Sequence, residues 1–204
     1  MRLNLHFFIY LFQCFLIFFT STSFSQESPK YKPNIVGTNA IPFSLTTFNT
    51  GEKIDLDKIG EDTIVIIEFW ASWCPPCIEA FPHINDLFYE LRNEKLKYIS
   101  VTYETNEDKL KTFFNTHRLN TIIAIDSNFV MYKNYNAWAI PQTMIINKER
   151  KIVVNVHPTK LTKEIITDVL QGNTLNVAEN GVMPYYEPVG AEEFFKSFEK
   201  EVKK

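Results

Sequence analysis

Two thiols separated by two prolines, in the run Trp73-Cys74-Pro75-Pro76-Cys77, have the spacing to form and break a disulfide with each other. In such a pair one thiolate attacks a partner disulfide and the second thiol releases the partner. The pair stands where a strand gives way to a helix. Thr63 to Trp70 is β-branched and almost continuously apolar, the pattern of a buried parallel strand. Helix signals follow Cys74, since proline is tolerated in a first turn whose N–H groups have no intrahelical partner. The Cys74 sulfur is therefore expected at a helix N-terminus, where partial positive charge favours the thiolate. Cys74, nearest the helix start, is the expected nucleophile. As an N-cap its sulfur would accept an N–H from the first turn, and because Pro75 and Pro76 carry none, the Cys77 amide is the expected donor. Cys77, one turn in and more covered, suits the resolving role.

Two further positions belong to this chemistry. Glu68 interrupts the apolar strand six residues before Cys74. A carboxylate there is expected to be desolvated, with its pKa raised, which suits proton transfer to or from Cys77; the alternative is a strand-edge acid facing solvent. Ile140-Pro141 precedes an apolar strand, and a cis bond is expected at that step. The Ile140 backbone would then offer hydrogen bonds to an extended substrate peptide, with Trp73, Pro75 and Pro76 lining the same substrate-binding surface.

These residues need a scaffold. Ile41 to Phe48 alternates, Asn49 to Glu52 reads as a turn and Lys53 to Leu56 follows, a β-hairpin pattern. After strand 63–70 comes a helix from Pro75 to Asn93, with Pro82 expected to kink it. Strands are expected at Lys97–Thr102 and Thr121–Asp126, and helices at Asn106–His117 and Phe129–Tyr135. Gln142–Asn147 and Ile152–Val156 form a second hairpin pattern around Lys148 to Lys151, and a helix from Leu161 to Leu170 ends at Gly172. The order predicts an α/β fold, a mixed central sheet with helices on both faces and an N-terminal β-hairpin addition.

The third cysteine, Cys14, lies in a different kind of segment. Residues 1–25 carry Arg2, then an apolar block from Phe7 to Phe19 broken only by Gln13 and Cys14, then small residues including Ser23 and Ser25. This is a secretory signal pattern, with cleavage expected near Ser25. The block is shorter than the roughly 20 residues that span a bilayer, and the alternative is an uncleaved anchor that tethers the protein to the membrane. Cleavage near Ser25 would leave Cys74 and Cys77 as the only thiols. One close pair in an oxidising compartment points to a cycling bond rather than a disulfide framework, the alternative being a structural staple in a tight turn. Residues 26–34 read as a tether. Residues 173–204 read as a C-terminal extension in which Phe194, Phe195, Phe198 and Val202 fall at helical spacing, either docking a partner or packing back on the domain. The exported part is about 180 residues, enough for one domain with a sizeable core. It carries 20 basic and 24 acidic residues, with no basic stripe for nucleic acid.

The run Glu68-Phe69-Trp70-Ala71-Ser72-Trp73-Cys74-Pro75-Pro76-Cys77 resembles the thioredoxin superfamily, specifically the exported TlpA/ResA-like thiol–disulfide oxidoreductases. The resemblance extends through Ile41 to Leu45, Gly51, Pro82, the Ile140-Pro141 step with Thr143 and the Asn147 to Val154 hairpin, covering about residues 35–172. It implies a thioredoxin fold, attack by Cys74, resolution by Cys77, a buried acid at Glu68 and a cis-proline at Pro141 beside the disulfide. It also implies periplasmic protein thiols and disulfides as substrates, apocytochrome c among them, and a membrane-embedded electron donor, with no cofactor. One position departs. Many family members carry an acid three residues after the second cysteine; here that residue is Ala80, with Glu79 one step earlier. One step turns a helical side chain by about 100°, so the tuning ascribed to that acid is not carried over.

Other chemistries are weighed against this one. A zinc site needs about four ligands, and His83, His117 and His157 are isolated in sequence with no second cysteine pair. A copper chaperone on this fold would use two cysteines and a distant histidine, but usually with three intervening residues. A peroxidase would need a cysteine in a Pro/Thr-containing loop without a CxxC partner. The resemblance implies electron flow toward substrate, a reductase; a general oxidant or isomerase is the alternative.

Overall fold

The computed structural model describes residues 35–137, 139–173 and 175. The expected signal segment with Cys14, the tether and the amphipathic stretch at 191–204 lie outside the described residues. Among the described residues, no helix is long and apolar enough to cross a membrane.

Seven strands form one mixed sheet: β1 (Ser44–Thr47), β2 (Lys53–Asp55), β3 (Ile64–Phe69), β4 (Leu96–Thr102), β5 (Ile122–Ile125), β6 (Gln142–Ile146) and β7 (Ile152–Val156). Their order is β2-β1-β5-β4-β3-β6-β7. The N-terminal hairpin joins at one edge, where β1 runs antiparallel to β5 with Thr46 opposite Ile125. Gly51 takes φ +70° in the hairpin turn, a conformation that costs glycine little because it has no Cβ. Strand β3 lies at the heart of the sheet, parallel to β4 and antiparallel to β6. All six of its residues are buried, as expected of a continuous apolar run covered on both faces.

Among the described residues four α-helices cover the sheet: α1 (Pro75–Glu90), α2 (Glu107–Phe114), α3 (Val130–Asn134) and α4 (Lys163–Gln171). α1 buries Cys77, Ala80, Phe81, Ile84 and Leu87, a stripe at three- and four-residue spacing. Pro82 falls inside the helix as expected, with its ring on the exposed side, and α1 runs to Glu90, three residues short of the expected end. Trp70 shows how the layers meet. Its ring packs edge-on against Phe81 of α1 at 5.3 Å and, tilted by 31°, against Phe113 of α2 at 5.6 Å. Phe69, pointing to the opposite face, packs against Tyr132 and Tyr135 at α3.

Element ends differ from expectation by a few residues, each for a local reason. α2 begins after Asn106, whose side chain accepts the Lys109 amide at 2.9 Å. α4 starts at Lys163 rather than Leu161, because Pro158–Lys160 forms a 3-10 turn and Thr162 caps the helix through the Ile165 amide. Gly172 closes α4 at φ +74°, the left-handed stop expected from the sequence.

Candidate active site

The sheet delivers Cys74 at the carboxyl end of β3. Residues Ala71 to Trp73 leave the strand, and Cys74 becomes the N-cap of α1 with extended backbone (φ −98°, ψ 98°). Its sulfur accepts the Cys77 N–H at 3.3 Å, the donor that the two prolines leave available. Cys74 and Cys77 are joined in a disulfide with Cα atoms 5.3 Å apart. Both are buried, at 3% and 0% exposure, so Cys74 is only marginally the more accessible. The Cys74 sulfur lies 3.9 Å from the Ile140 carbonyl oxygen. With the sulfur oxidised there is no S–H to donate, so this is a close approach and not a hydrogen bond.

Ile140-Pro141 is a cis peptide bond, and it places the Ile140 carbonyl over the disulfide. Around the sulfurs, Pro75 and Pro76 are exposed and Ile140 is half-buried. Trp73 is 59% exposed, an unusual position for so large an apolar ring. A cavity of about 540 Å³ lies at the opposite end of the sheet, lined by Lys53, Lys58, Thr63, Lys97 and Thr121 among others, and contains none of these residues.

Glu68 is not a solvent-facing edge acid. It is fully buried on the central strand, opposite Ser100 of β4 and Thr143 of β6. Alternation puts it on the face that carries Trp70, the face covered by α1. Thr143 Oγ1 donates a hydrogen bond to Glu68 Oε2, while Oε1 has no partner. Burial pushes the Glu68 carboxyl well above its ordinary pKa, and the Thr143 bond offsets only part of that. The carboxyl is therefore able to hold a proton that an exposed glutamate would have released.

At the position three residues past Cys77, Ala80 is fully buried and Glu79 is exposed. The one-residue shift moves a carboxylate from the core-facing side of α1 into solvent. The three histidines among the described residues serve local structure. His83 bonds the Leu161 carbonyl at 2.7 Å, His117 stacks on Phe113 and His157 caps the 3-10 turn through Thr159.

Sequence reasoning missed the groups that hold the arm ahead of Cys74. Glu104 Oε2 accepts the Ser72 N–H and Oε1 accepts the Ser72 hydroxyl, each at 2.6 Å. Trp73 Nε1 donates to Tyr103 Oη at 3.0 Å, and Tyr103 stacks on Phe129. Burial pushes the Tyr103 phenol up to about 12, which keeps it a neutral partner for the indole. Behind the arm, Tyr132 Oη lies 2.7 Å from the Trp70 carbonyl and 3.0 Å from that of Val101. Residues 103 and 104 follow β4 in a polar loop, and nothing in their spacing signals contact with residues 72 and 73.

Comparison with known proteins identifies the family and the fold. Residues 36–155 match the AhpC/TSA family. The thiol–disulfide oxidoreductase ResA of Halalkalibacterium halodurans is 28% identical over 135 residues, 66% of this chain and 75% of the relative. The crystal structure of StoA from Bacillus subtilis superposes with a TM-score of 0.53 at 24% identity, covering 67% of this chain and 98% of that one. The thioredoxin domain of a thiol–disulfide oxidoreductase from Bacteroides vulgatus superposes with a TM-score of 0.56 at 16% identity, covering 66% and 97%. The chain belongs to the AhpC/TSA family, built on a thioredoxin fold, and with its Cys74–Cys77 pair it is a thiol–disulfide oxidoreductase.

Proposed function

We propose that the protein reduces disulfides in exported proteins in the periplasm, the haem-attachment cysteine pair of apocytochrome c among them. The observation that carries this reading is the position of the Cys74 sulfur. It caps a helix N-terminus, accepts the Cys77 amide and lies beside the Ile140 carbonyl on an exposed apolar rim. The apolar block at Phe7–Phe19 supports export, with residues 1–25 as the signal and 26–34 as a tether.

In the working direction the pair begins as two thiols. The Cys74 thiolate attacks one sulfur of the substrate disulfide, forming a mixed disulfide and releasing the other substrate sulfur as a thiolate. The Glu68 carboxylate takes the proton from Cys77, and the Cys77 thiolate attacks the Cys74 sulfur. The Cys74–Cys77 disulfide forms, the second substrate thiolate leaves, and the two substrate thiolates take up protons. Two electrons have moved from the pair to the substrate. A membrane-embedded dithiol donor restores the reduced pair by the reverse exchange. Trp73, Pro75, Pro76 and Ile140 receive the substrate chain beside Pro141, the Ile140 backbone pairing with it in extended form.

The reduction potential of the pair, measured by equilibration with dithiothreitol or glutathione, tests the direction. A value near or below that of thioredoxin, about −270 mV, is expected of a reductase. A value near that of the oxidant DsbA, about −120 mV, would overturn it in favour of a general oxidant.

A further inference from the structure

Two consecutive residues of one loop grip two consecutive residues of another. After β4, Glu104 accepts both the amide and the hydroxyl of Ser72, and Tyr103 Oη accepts the Trp73 indole N–H at 3.0 Å. The two grips act on different parts of the arm. Ser72 is tied through its main chain, which fixes the backbone ahead of Cys74. Trp73 is tied through its side chain, which fixes the ring. That ring is mostly exposed, so its N–H would find water if it swung away, and the bond contributes little to folding. What the bond supplies is orientation.

Tyr103 is itself held in place. Its buried ring stacks on Phe129, with centroids 4.3 Å and planes 27° apart, and meets Tyr132 edge-on at 5.3 Å. Tyr132 Oη is in turn within hydrogen-bonding distance of the Trp70 and Val101 carbonyls, at the carboxyl ends of β3 and β4. Phe129 stands at φ +56°, a left-handed conformation that is rare for a bulky side chain. Asp126 supports that turn: its carboxylate accepts the amides of Val130, Met131 and Tyr132 at 3.0, 2.9 and 3.1 Å. Backbone strain persists where the surroundings over-determine it, and it gathers at functional sites. Here it accompanies a ring stacked against the tyrosine that holds Trp73.

We propose that Tyr103 is a positioning residue for substrate docking, holding the exposed Trp73 ring in one orientation as a preformed contact for the chain around a protein disulfide. This rests on the reading of Trp73 as part of the substrate-binding rim. An aromatic anchor that is already ordered loses less freedom when a partner covers it. A small disulfide covers too little of the ring to gain from that order. Tyr103 thereby favours protein disulfides over small ones, and it acts through Trp73.

The test compares Y103F with the parent in the reduced full-length chain. Phenylalanine keeps the ring on Phe129 and removes the acceptor. The second-order rate constant for oxidation by insulin should fall about threefold, the cost of ordering one side chain on binding. The rate constant with glutathione disulfide should not change, because the Ser72–Glu104 grip still places the sulfurs. The Trp73 indole N–H signal in nitrogen-15 NMR, identified by its loss in W73F, should exchange faster with water in Y103F. W73F has no N–H for Tyr103 to hold, so W73F and the double variant should react with insulin at the same rate. An unchanged insulin rate or an unchanged indole signal in Y103F overturns the proposal. Equal slowing with both disulfides, or losses that add in the double variant, would make Tyr103 a support of the fold and also overturn it. The underlying reading is checked separately by W73A. If W73A slows both disulfides equally, Trp73 is not a docking residue; if it slows insulin alone while Y103F changes nothing, that reading stands and the role of Tyr103 falls.

Discussion

Ser72 and Glu104 are bound to each other twice across 32 residues of chain, the amide to one carboxylate oxygen and the hydroxyl to the other, both at 2.6 Å. The bond fastens the arm that carries Trp73 and Cys74 to the end of β4. E104A removes both acceptors at a half-buried site, so unfolding stability should fall by about 1–2 kcal/mol, seen as a lower urea midpoint at unchanged slope. E104Q keeps one acceptor oxygen and should lose less. Both should slow disulfide reduction severalfold, because the sulfur is placed less accurately. A variant that loses neither stability nor rate would show that the clamp is idle.

The order of attack is open to trapping. Cys77→Ser should accumulate mixed disulfides with substrate proteins through Cys74, resolved on non-reducing gels and released by dithiothreitol, because no resolving thiol remains. Cys74→Ser should trap none. Since both cysteines are buried in the oxidised state, the small difference in exposure does not decide the order. The expectation that Cys74 attacks rests instead on its placement at the helix start, and the trapping pattern tests it. Partners trapped by Cys74→Ser instead would reverse the assignment.

Glu68 should make stability depend on pH. Its folded pKa is raised, so the protonated form is the one the fold prefers. The contribution is complete below the unfolded glutamate pKa of about 4.3 and is lost as pH rises toward the folded value. Over that window the wild type should lose stability relative to E68Q at up to about 1.4 kcal/mol per pH unit. Paired urea titrations between pH 4 and pH 9 measure the difference. Parallel curves for the two proteins would mean that Glu68 is not desolvated in solution.

Trp73 offers a way to separate substrate binding from chemistry. Its ring is mostly exposed, and its Nε1 donates to Tyr103. W73A should lower kcat/KM for a protein disulfide such as insulin by about fivefold or more, as for loss of an aromatic anchor. Its rate with a small disulfide should change much less. Equal losses on both substrates would place Trp73 in the chemistry rather than at the docking rim.

The cysteine pair, its place at a strand–helix junction and the element order were legible in the sequence because they rest on local rules. Those rules are periodicity within a strand, proline in a first helical turn, and glycine at Gly172 where the chain must turn left-handed. Glu68 was legible as an anomaly, a charge in an apolar run. What the sequence could not decide was which way that charge faced and what met it. Thr143 comes from β6 beside β3, and Glu104 reaches Ser72 from 32 residues away. Sheet order and register create those meetings, and neither leaves a mark in local spacing. The thiol chemistry is therefore written in five consecutive residues. The proton affinity of its buried acid and the hold on its reactive arm are set only when the strands assemble.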